Sequence, residues 1–261
     1  MPITAIIPTF NEEENIERAL TSVQFCDEVL VVDSFSTDGT VEMAKRMGAK
    51  VIQRAYGYSA SQKNWAIPQA THPWIVLLDA DEWLDDKTQK IIAETMAAKP
   101  SEAAFWLPRY NLFMGKRMRY GGWKNDKVIR LFQRDKCRYE DKRVHAEIIC
   151  DGAVSSLNGT IGHNTYRGFS EMIRKTDRYT SWAAVDRANK RRVGWIDFTL
   201  KPWFAFFRDY ILKLGFLDGK RGFISATHTG WSKFIRAVKI WRIQAGETLT
   251  DPETKQPIDK S

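Results

Sequence analysis

Cysteine and histidine are scarce in this chain of 261 residues, with three and four copies respectively. The cysteines, Cys26, Cys137 and Cys150, are odd in number and lack metal-ligand spacing. We therefore expect unpaired, inert thiols, with neither a disulfide framework nor a zinc site. Long apolar runs are also missing, since none reaches the roughly 18 uncharged residues of a membrane-spanning helix. The N-terminal segment has no basic region typical of a signal peptide, and we expect a protein of the reducing cytoplasm.

A glycine-rich phosphate loop of the GxGxxG type is absent as well. The composition is 43% hydrophobic, 12% aromatic and 28% charged, which excludes a disordered or fibrous chain. The length allows one large domain, or a domain of roughly 150 residues with an appendage.

Positive charge is concentrated in one part of the chain. Residues 167–247 contain 17 Lys and Arg against 7 Asp and Glu, whereas the remainder has 23 against 25. The asymmetry predicts that the C-terminal third contacts something anionic, and charge alone leaves nucleic acid, an acidic substrate and an anionic lipid surface open.

The first hundred residues alternate short apolar runs with helical patterns. The runs predict strands at Ile3–Pro8, Glu28–Asp33, Val51–Arg54 and Trp74–Asp79. Helices are predicted from a capping-box-like start at Asn11 and Glu14 to Val23, and over Asp38–Met47, Ser59–Ala70 and Lys87–Ala98. This alternation predicts an α/β fold with a doubly wound, mostly parallel central sheet.

The pattern changes after Ala103. Strands are predicted at Ala104–Phe113 and Lys127–Gln133, and a basic helical region follows residue 166. We therefore divide the chain into an α/β domain, residues 1–166, and a helical extension, residues 167–261. Within the extension, 198–217 has the pattern of one amphipathic helix, rich in aromatic residues and lysine, that binds a membrane interface or packs on the α/β domain.

Two carboxylates, Asp79 and Asp81, follow the strand that begins at Trp74. Like charges repel at such a turn, and the pair becomes favourable when a divalent cation lies between it and a phosphate. The alternative is an acidic helix N-terminus, which Asp85 and Asp86 would cap.

Two further polar clusters follow predicted strands, at Pro8–Glu12 and at Asp33–Thr40. Functional residues of doubly wound sheets lie past the carboxyl ends of the strands, so the three clusters should converge on one edge. Such a site would bind a nucleotide by hydrogen bonds to base and ribose, and leave the diphosphate to a metal. The alternative for Asp33–Thr40 is a turn and helix cap without a ligand.

At this point a family resemblance can be stated. It rests on Ile7–Glu13, Val32–Ser34 with Asp38–Thr40, Gln62–Asn64, Leu78–Glu82, Arg130–Phe132, Val144–His145, His163–Tyr166 and Gly215–Gly219. These motifs resemble family 2 glycosyltransferases of the GT-A fold, a Rossmann-like sheet flanked by helices, and the subgroup is similar to lipopolysaccharide-core β-glucosyltransferases. The resemblance extends from the N-terminus to about Ala245.

The resemblance implies roles for individual residues. The positions that match nucleotide-sugar-binding residues are Pro8, Thr9, Glu12, Asp33, Lys63 and Asp79. Asp81 matches the ligand of Mg²⁺ or Mn²⁺, and His163 matches a histidine that completes the metal site. The alternative for Lys63 is a surface lysine, and for His163 a hydrogen-bonded, partly buried histidine.

The general base departs from the family pattern. Related sequences place an acidic residue directly after the histidine of a Val-His pair, where this chain has Ala146. The candidates are His145, Glu147 and the pair Glu140–Asp141, of which the last could be a solvated turn. We favour Glu147 as the base with His145 as its neighbour, because on a strand both side chains would lie on one face.

The predicted function is metal-dependent, inverting transfer of a hexose, taken as glucose, from a UDP-sugar to an inner-core sugar of a lipid-anchored lipopolysaccharide acceptor. Residues expected to contact the acceptor or the anionic inner membrane are Lys190, Arg191, Arg192 and Trp203. The enzyme would then be cytoplasmic and peripheral on that membrane. The alternatives are a polyprenyl-phosphate or protein acceptor and, from another class, a basic nucleic-acid-binding protein, against which the acidic clusters argue. The oligomeric state is not predicted.

Overall fold

A computed structural model describes residues 1–144, 146–166, 168–190, 192–252 and 255–258. Contacts divide the chain into two units. The first comprises residues 1–110 and 125–164, and the second comprises residues 111–124 and 165–261. Residues 111–124, which the sequence-based division placed in the catalytic domain, thus belong to the second unit. The backbone amides of Arg119 and Tyr120 donate to Asp218, and Trp123 Nε1 donates to Ser225 Oγ at 2.8 Å.

The strands of the described chain form one large sheet and a separate hairpin. In chain order they are Ile3–Thr9 (β1), Glu28–Asp33 (β2), Lys50–Gln53 (β3), Trp74–Leu77 (β4), Glu82–Leu84 (β5), Ala104–Phe113 (β6), Lys116–Arg117 (β7), Lys127–Gln133 (β8), Cys137–Tyr139 (β9), Ile148–Cys150 (β10), Val154–Ser156 (β11) and Ile161–Tyr166 (β12). The sheet order is β3-β2-β1-β4-β8-β6-β12-β5, with β7 and β11 paired to β6, while β9 and β10 form the hairpin. Strands β1 to β4 pair in parallel, and β8 pairs antiparallel with both β4 and β6.

Helices connect the parallel strands and form most of the second unit. Their bounds are Glu13–Thr21 (α1), Thr40–Arg46 (α2), Ser59–Ala66 (α3), Asp86–Ala97 (α4), Phe169–Ala188 (α5), Trp195–Phe198 (α6), Leu200–Phe207 (α7) and Gly219–Gln244 (α8). Within the described residues, none of these helices combines the length and the apolarity needed to span a bilayer.

The apolar core of the first unit lies on both faces of the sheet. Successive residues of β1 alternate between the two faces, so that Ile7 packs with Val31 and Val76 while Ile6 packs with Leu30 and Ile75. Burial on both faces explains why β1, β2 and β4 are continuous apolar runs without alternation in the sequence. The predicted α/β class with a helical C-terminal region is confirmed.

The predicted start of the first helix is wrong. Helix α1 begins at Glu13 and its N-cap, Glu12, makes no side-chain capping hydrogen bond. Asn11 has a φ of 53°, in the left-handed region, and its Oδ1 accepts a hydrogen bond from Thr37 N at 2.8 Å. Asn11 therefore joins the ends of β1 and β2 and does not cap α1.

The single amphipathic helix predicted over 198–217 is also wrong. Helix α7 ends at Phe207 and continues as a π-helical turn, Arg208–Leu212. Leu214 then adopts a left-handed conformation with a φ of 58°, which no continuing right-handed helix allows, and a 3₁₀ turn follows at Gly215–Asp218.

The expectation of unpaired thiols is overturned for two cysteines. Cys137 and Cys150 lie directly opposite each other in the β9–β10 hairpin and form a disulfide. The spacing of 13 residues in sequence gives no sign of this pairing, because it depends on the register of the hairpin. Cys26 is free, and burial followed by the nearby Asp27 carboxylate raises the pKa of its thiol to about 12.

Candidate active site

The carboxyl ends of β1, β2 and β4 lie side by side in the first unit. Strand β1 lies between the other two, with Thr9 opposite Asp33 and Leu78 N donating to Ile6 O at 3.1 Å. The polar clusters predicted from the sequence therefore follow three adjacent parallel strands and lie at one edge of the sheet.

Buried polar atoms without hydrogen-bond partners occur at this edge. Thr9 is 5% exposed, and its Oγ1 has no partner among the described residues. Gln62 Oε1, on α3, is likewise buried and unpaired, while Gln62 Nε2 donates to Ser34 Oγ at 3.1 Å. Leaving a buried polar group without a partner costs about 1–3 kcal/mol, so these atoms are suited to hydrogen bonds with a ligand or water.

Asp33 and Glu12 have partners within the protein. The fully buried Asp33 carboxylate accepts hydrogen bonds from Ser36 N at 3.0 Å and from Gln53 Nε2 at 2.9 Å. Glu12 Oε2 accepts from Asn15 Nδ2 at 2.6 Å, and Pro8 is half-buried beside Thr9. Asp33 thus stabilises the turn after β2, as the ligand-free alternative described, and it also fixes the wall next to Thr9.

Asp79 is held by two cations. Its Oδ1 lies 2.7 Å from Lys63 Nζ, and its Oδ2 lies 2.6 Å from Arg130 Nη2. Burial opposes ionisation of Asp79, but the Lys63 ammonium and the Arg130 guanidinium outweigh it and hold the pKa of this carboxyl below its ordinary value. Lys63 is 6% exposed, so it is not a surface lysine.

Arg130 extends this contact into a buried ion network. Its Nε lies 2.8 Å from Glu82 Oε2, and Glu82 Oε1 lies 2.7 Å from Arg109 Nη1. Arg109 Nε in turn lies 2.9 Å from Asp126. Burial opposes ionisation of Glu82, but Arg130 outweighs it and lowers the pKa of that carboxyl. The network fixes the loop that carries Asp79 and Asp81.

The sequence analysis gave no role to Glu82, Arg109 or Arg130. One signal was available, because Arg130 lies within the apolar run of β8 and a cation at a buried strand position requires anionic partners. The identity of those partners was not available, since Glu82 and Asp79 lie 48 and 51 residues away in sequence.

Asp81 and His163, the two residues that the family resemblance implied as metal ligands, lie close together. His163 Nε2 lies 3.5 Å from Asp81 Oδ2, and both side chains are about 15% exposed. The pairing of β5 with β12 places His163 opposite Glu82, and Asn164 N donates to Asp81 O at 2.8 Å. Between these strands Gly162 lies against the indole of Trp83, which also stacks under the Arg18 guanidinium at 3.6 Å.

The donor set fits a divalent cation that is shared with a diphosphate. Among the described residues there is no group of three or more His, Cys, Asp or Glu side chains that could enclose an ion. Mg²⁺ commonly binds one or two protein ligands together with phosphate oxygens and water, and Asp81 and His163 provide that number. A metal held by protein atoms alone is not supported.

Among the base candidates, the structure describes Glu147 but not His145, which lies outside the described residues. Strand β10 begins at Ile148, so Glu147 precedes the strand. The position of Glu147 relative to His145 stays a prediction. Glu147 is exposed, and its backbone exchanges hydrogen bonds with Glu140, whose Oε1 lies 2.6 Å from Lys142 Nζ. Asp141 accepts a hydrogen bond from Tyr58.

The residues predicted to contact an acceptor or a membrane lie in the second unit. Lys190 and Arg192 are exposed just after α5 ends at Ala188, and Arg191 lies outside the described residues. Trp203 on α7 is 62% exposed and stacks on Phe207, with ring centroids 5.4 Å apart.

Comparison with known families identifies the chain. The model of the family described as "Glycosyl transferase family 2" matches residues 4–150, more than half of the sequence. The chain belongs to glycosyl transferase family 2. Together with the mixed α/β sheet, this membership confirms the predicted resemblance and GT-A fold class.

Relatives of this family 2 glycosyltransferase span most of its length. It is 29% identical over 256 residues to the lipopolysaccharide core biosynthesis glycosyltransferase LpsC of Rhizobium meliloti, with 94% of each chain covered. An uncharacterised glycosyltransferase of Rickettsia typhi is 27% identical over 252 residues, covering 91% of this chain and 86% of the relative.

Solved structures that align with this chain include TarS and glucosyl-3-phosphoglycerate synthase. Staphylococcus aureus TarS in complex with UDP-GlcNAc aligns at a TM-score of 0.47 with 14% identity and covers 99% of both chains. Glucosyl-3-phosphoglycerate synthase of Mycobacterium tuberculosis, in complex with Mn²⁺, UDP and glucosyl-3-phosphoglycerate, aligns at a TM-score of 0.36 with 19% identity over 42% of this chain and 44% of the other.

Proposed function

We propose that this family 2 glycosyltransferase transfers a hexose, glucose, from a UDP-sugar to an inner-core sugar of lipopolysaccharide, with inversion and with Mg²⁺ or Mn²⁺ bound. Binding of the UDP-sugar donor is supported mainly by the Asp81–His163 pair, whose side chains lie 3.5 Å apart. The pair lies at the sheet edge that also contains Thr9 Oγ1, a buried atom without a hydrogen-bond partner in the described chain. The acceptor class is supported by the similarity to LpsC, which covers 94% of both chains.

The donor nucleotide would lie at the ends of β1 and β2. Thr9 and Pro8 supply the wall against the uridine, with Thr9 Oγ1 as a hydrogen-bonding group that otherwise has no partner. Glu12 and Asp33 shape the same wall through their internal hydrogen bonds. Lys63 and Asp79 form an ion pair of 2.7 Å whose ammonium contributes positive charge for a diphosphate.

Asp81 and His163 would hold the metal ion, which when bound neutralises charge on the leaving diphosphate. The ion network around Arg130 keeps the Asp79–Asp81 loop in one position, so the two ligands do not need to reorganise when the donor arrives. Deprotonation of the acceptor hydroxyl is assigned to Glu147, with His145 as the competing candidate.

The second unit would bring the enzyme to its lipid-anchored acceptor at the cytoplasmic face of the inner membrane. Its excess of basic residues is concentrated in residues 167–247, where Lys190, Arg191 and Arg192 are consecutive in sequence, and Trp203 of the same unit is exposed. Each basic residue near an anionic bilayer contributes about 1 kcal/mol of attraction.

The test compares Asp81→Asn with Asp86→Asn, a control that removes the same charge from the exposed first turn of α4. We expect Asp81→Asn to lose turnover by roughly a hundredfold or more and to lose the Mn²⁺-dependent part of UDP binding, because metal stabilisation is worth several kcal/mol. The control should behave as wild type. The measurements are UDP calorimetry with and without Mn²⁺, and transfer from a panel of nucleotide sugars to truncated lipopolysaccharides.

The same assays test the base and the acceptor. Glu147→Gln should keep metal-dependent UDP binding and lose turnover by about 10²–10⁴. Full activity of wild-type enzyme in EDTA would disprove the metal assignment. Transfer to a polyprenyl phosphate or a protein, with none to lipopolysaccharide, would disprove the acceptor.

A further inference from the structure

A groove between α7 and α8 in the second unit combines positive charge with apolar surface. It has a volume of about 530 Å³, within the range of small-ligand sites. Its lining residues include Leu200, Trp203, Phe204, Arg208, Lys233 and Arg236. No residue of this groove takes part in nucleotide or metal binding as proposed above.

The groove exists because the two helices approach closely at one end. A Cβ on Gly230 would lie 2.8 Å from Pro202 O, so α8 and α7 touch there through backbone atoms. Lys233 and Arg236 follow Gly230 on α8 at spacings of three and six residues, and they border the groove opposite Trp203 and Phe204 of α7.

The groove is lined by four cations, Lys201, Arg208, Lys233 and Arg236. Lys201 is paired with Asp197 at 2.7 Å, and Arg208 with Asp209 at 2.8 Å. Lys233 forms no salt bridge within the described part of the chain. Burial, and then the charges of Arg236, Arg187 and Arg208, lower the pKa of Lys233, against a smaller opposing effect of Asp209. An anion in the groove would relieve the repulsion between these cations.

The apolar residues of the groove indicate what kind of anion fits. Leu200, Trp203 and Phe204 are 60%, 62% and 54% exposed, which is unusual for large hydrophobic side chains. Two further large hydrophobic side chains of the second unit outside the groove, Trp195 and Leu212, are 84% and 59% exposed. An anion that carries hydrocarbon matches both properties, whereas a nucleic acid would pair its phosphates with the cations and stack its bases on the aromatic rings but leave the aliphatic Leu200 uncovered.

We propose that this groove binds the phosphate group of an anionic phospholipid, with Lys233 and Arg236 at the phosphate and Trp203 and Phe204 among the acyl chains. The inference goes beyond the proposed sugar transfer, because it requires neither UDP nor an acceptor sugar. It also differs from general attraction of basic residues to a charged surface, since it assigns one lipid to one site.

The experiment uses lipids that are too short to form a bilayer, so that surface charge cannot contribute. Dihexanoylphosphatidylglycerol, as a monomer, is titrated into the full chain by calorimetry. Dihexanoylphosphatidylcholine and inorganic phosphate serve as comparisons. We expect the phosphatidylglycerol to bind, and the zwitterionic lipid and free phosphate to bind at least about tenfold more weakly, because each lacks one of the two contacts.

Matched variants locate the site. Lys233→Gln should weaken binding by about tenfold or more, because a charged hydrogen bond is lost, and Lys233→Arg should retain binding. Lys220→Gln removes the same charge from an exposed position on the same helix, outside the groove, and should change affinity by less than about twofold. Trp203→Ala should weaken binding by about tenfold, and Trp195→Ala, an exposed tryptophan outside the groove, should not.

Several outcomes would overturn the inference. Equal losses in Lys233→Gln and Lys220→Gln would show diffuse electrostatics, and phosphate binding as tight as the lipid would assign the groove to a free anion. Single-stranded RNA that displaces the lipid with higher affinity would assign it to nucleic acid. Self-association that Trp203→Ala abolishes would assign the apolar surface to a second copy of the chain. Unfolding curves for each variant verify that the fold is intact.

Discussion

The two units of this enzyme differ in how far their charged and apolar side chains are buried. In the first unit, Lys63 and Arg130 are buried and paired with Asp79 and Glu82. In the second unit, basic residues are in excess, and 16 of the 21 large hydrophobic side chains that are exposed in the described chain lie there. The first unit encloses its charges to hold a site in place, whereas the second exposes apolar surface that is stable in water only at a cost unless something covers it.

The largest expected effect comes from removing one cation from each unit, the buried Arg130 and the half-buried Lys233. Arg130→Met should lower the free energy of unfolding by about 3–5 kcal/mol, because Glu82 and Asp79 lose their shared partner in a buried setting. Lys233→Met removes a cation that has no salt bridge among the described residues, and stability should stay within about 1 kcal/mol of wild type. Urea unfolding followed by circular dichroism measures both. Equal destabilisation by the two substitutions would contradict the contrast.

A smaller effect concerns the pH range in which each unit loses stability. In the first unit, burial opposes the ionisation of Asp79 and Glu82, but the nearby charges of Lys63 and Arg130 outweigh this effect. The pKa values of the two carboxyls therefore lie below their ordinary 3.8 and 4.5. The contribution of these carboxylates to the free energy of unfolding is complete above about pH 4.5 and is lost as the pH falls below that value. In the second unit, burial lowers the pKa of His228 below 6.5. Its protonation therefore favours the unfolded state, and stability falls as the pH drops below 6.5.

Hydrogen exchange should accordingly show α8 losing protection between pH 6.5 and 4.5 while β1 keeps it. His228→Gln should remove the acid sensitivity of α8 in that window. Simultaneous loss of protection in both elements would mean that the units do not titrate separately.

The smallest effect concerns two buried hydroxyls. Thr9→Val in the first unit removes an Oγ1 that has no partner in the described chain, so stability should be unchanged or rise by about 1 kcal/mol. UDP affinity should fall by roughly two- to tenfold if that hydroxyl binds the nucleotide. Thr180→Val in the second unit removes an Oγ1 bonded to Thr176 O at 2.7 Å and should cost about 1 kcal/mol. Thermal unfolding measures the stability of both variants, and UDP calorimetry measures the affinity of Thr9→Val. An undiminished UDP affinity in Thr9→Val would show that Thr9 does not contact the nucleotide.

Sequence patterns sufficed for the elements whose signal is local. The strands at Glu28–Asp33, Ala104–Phe113 and Lys127–Gln133 have the bounds that their apolar and β-branched residues predict. The helix predicted over 198–217 failed because its end depends on the left-handed conformation of Leu214, which the periodicity does not encode. The disulfide between Cys137 and Cys150 was not predicted for a similar reason, since it depends on the register of a hairpin.

The candidate site shows the same limit. The positions of Thr9, Asp33 and Asp79 at strand ends follow from the order of strands and from the rule for parallel sheets. The proximity of Asp81 to His163 came from the family resemblance, because 82 residues separate them in sequence. The partners of Arg130 could not be derived, since they depend on packing between β8 and a loop that is distant in sequence.

Gly162 can be replaced over evolution only after Trp83 has become smaller or moved. A Cβ at position 162 would come within 2.2 Å of the Trp83 ring, so any larger residue there must displace the indole. His163 follows Gly162 directly, and Asp81 precedes Trp83 by two residues, so the displacement would strain the backbone beside both of these side chains. Drift at position 162 is therefore blocked while a bulky aromatic occupies position 83, and descendants of this enzyme that lose Gly162 should also have lost Trp83.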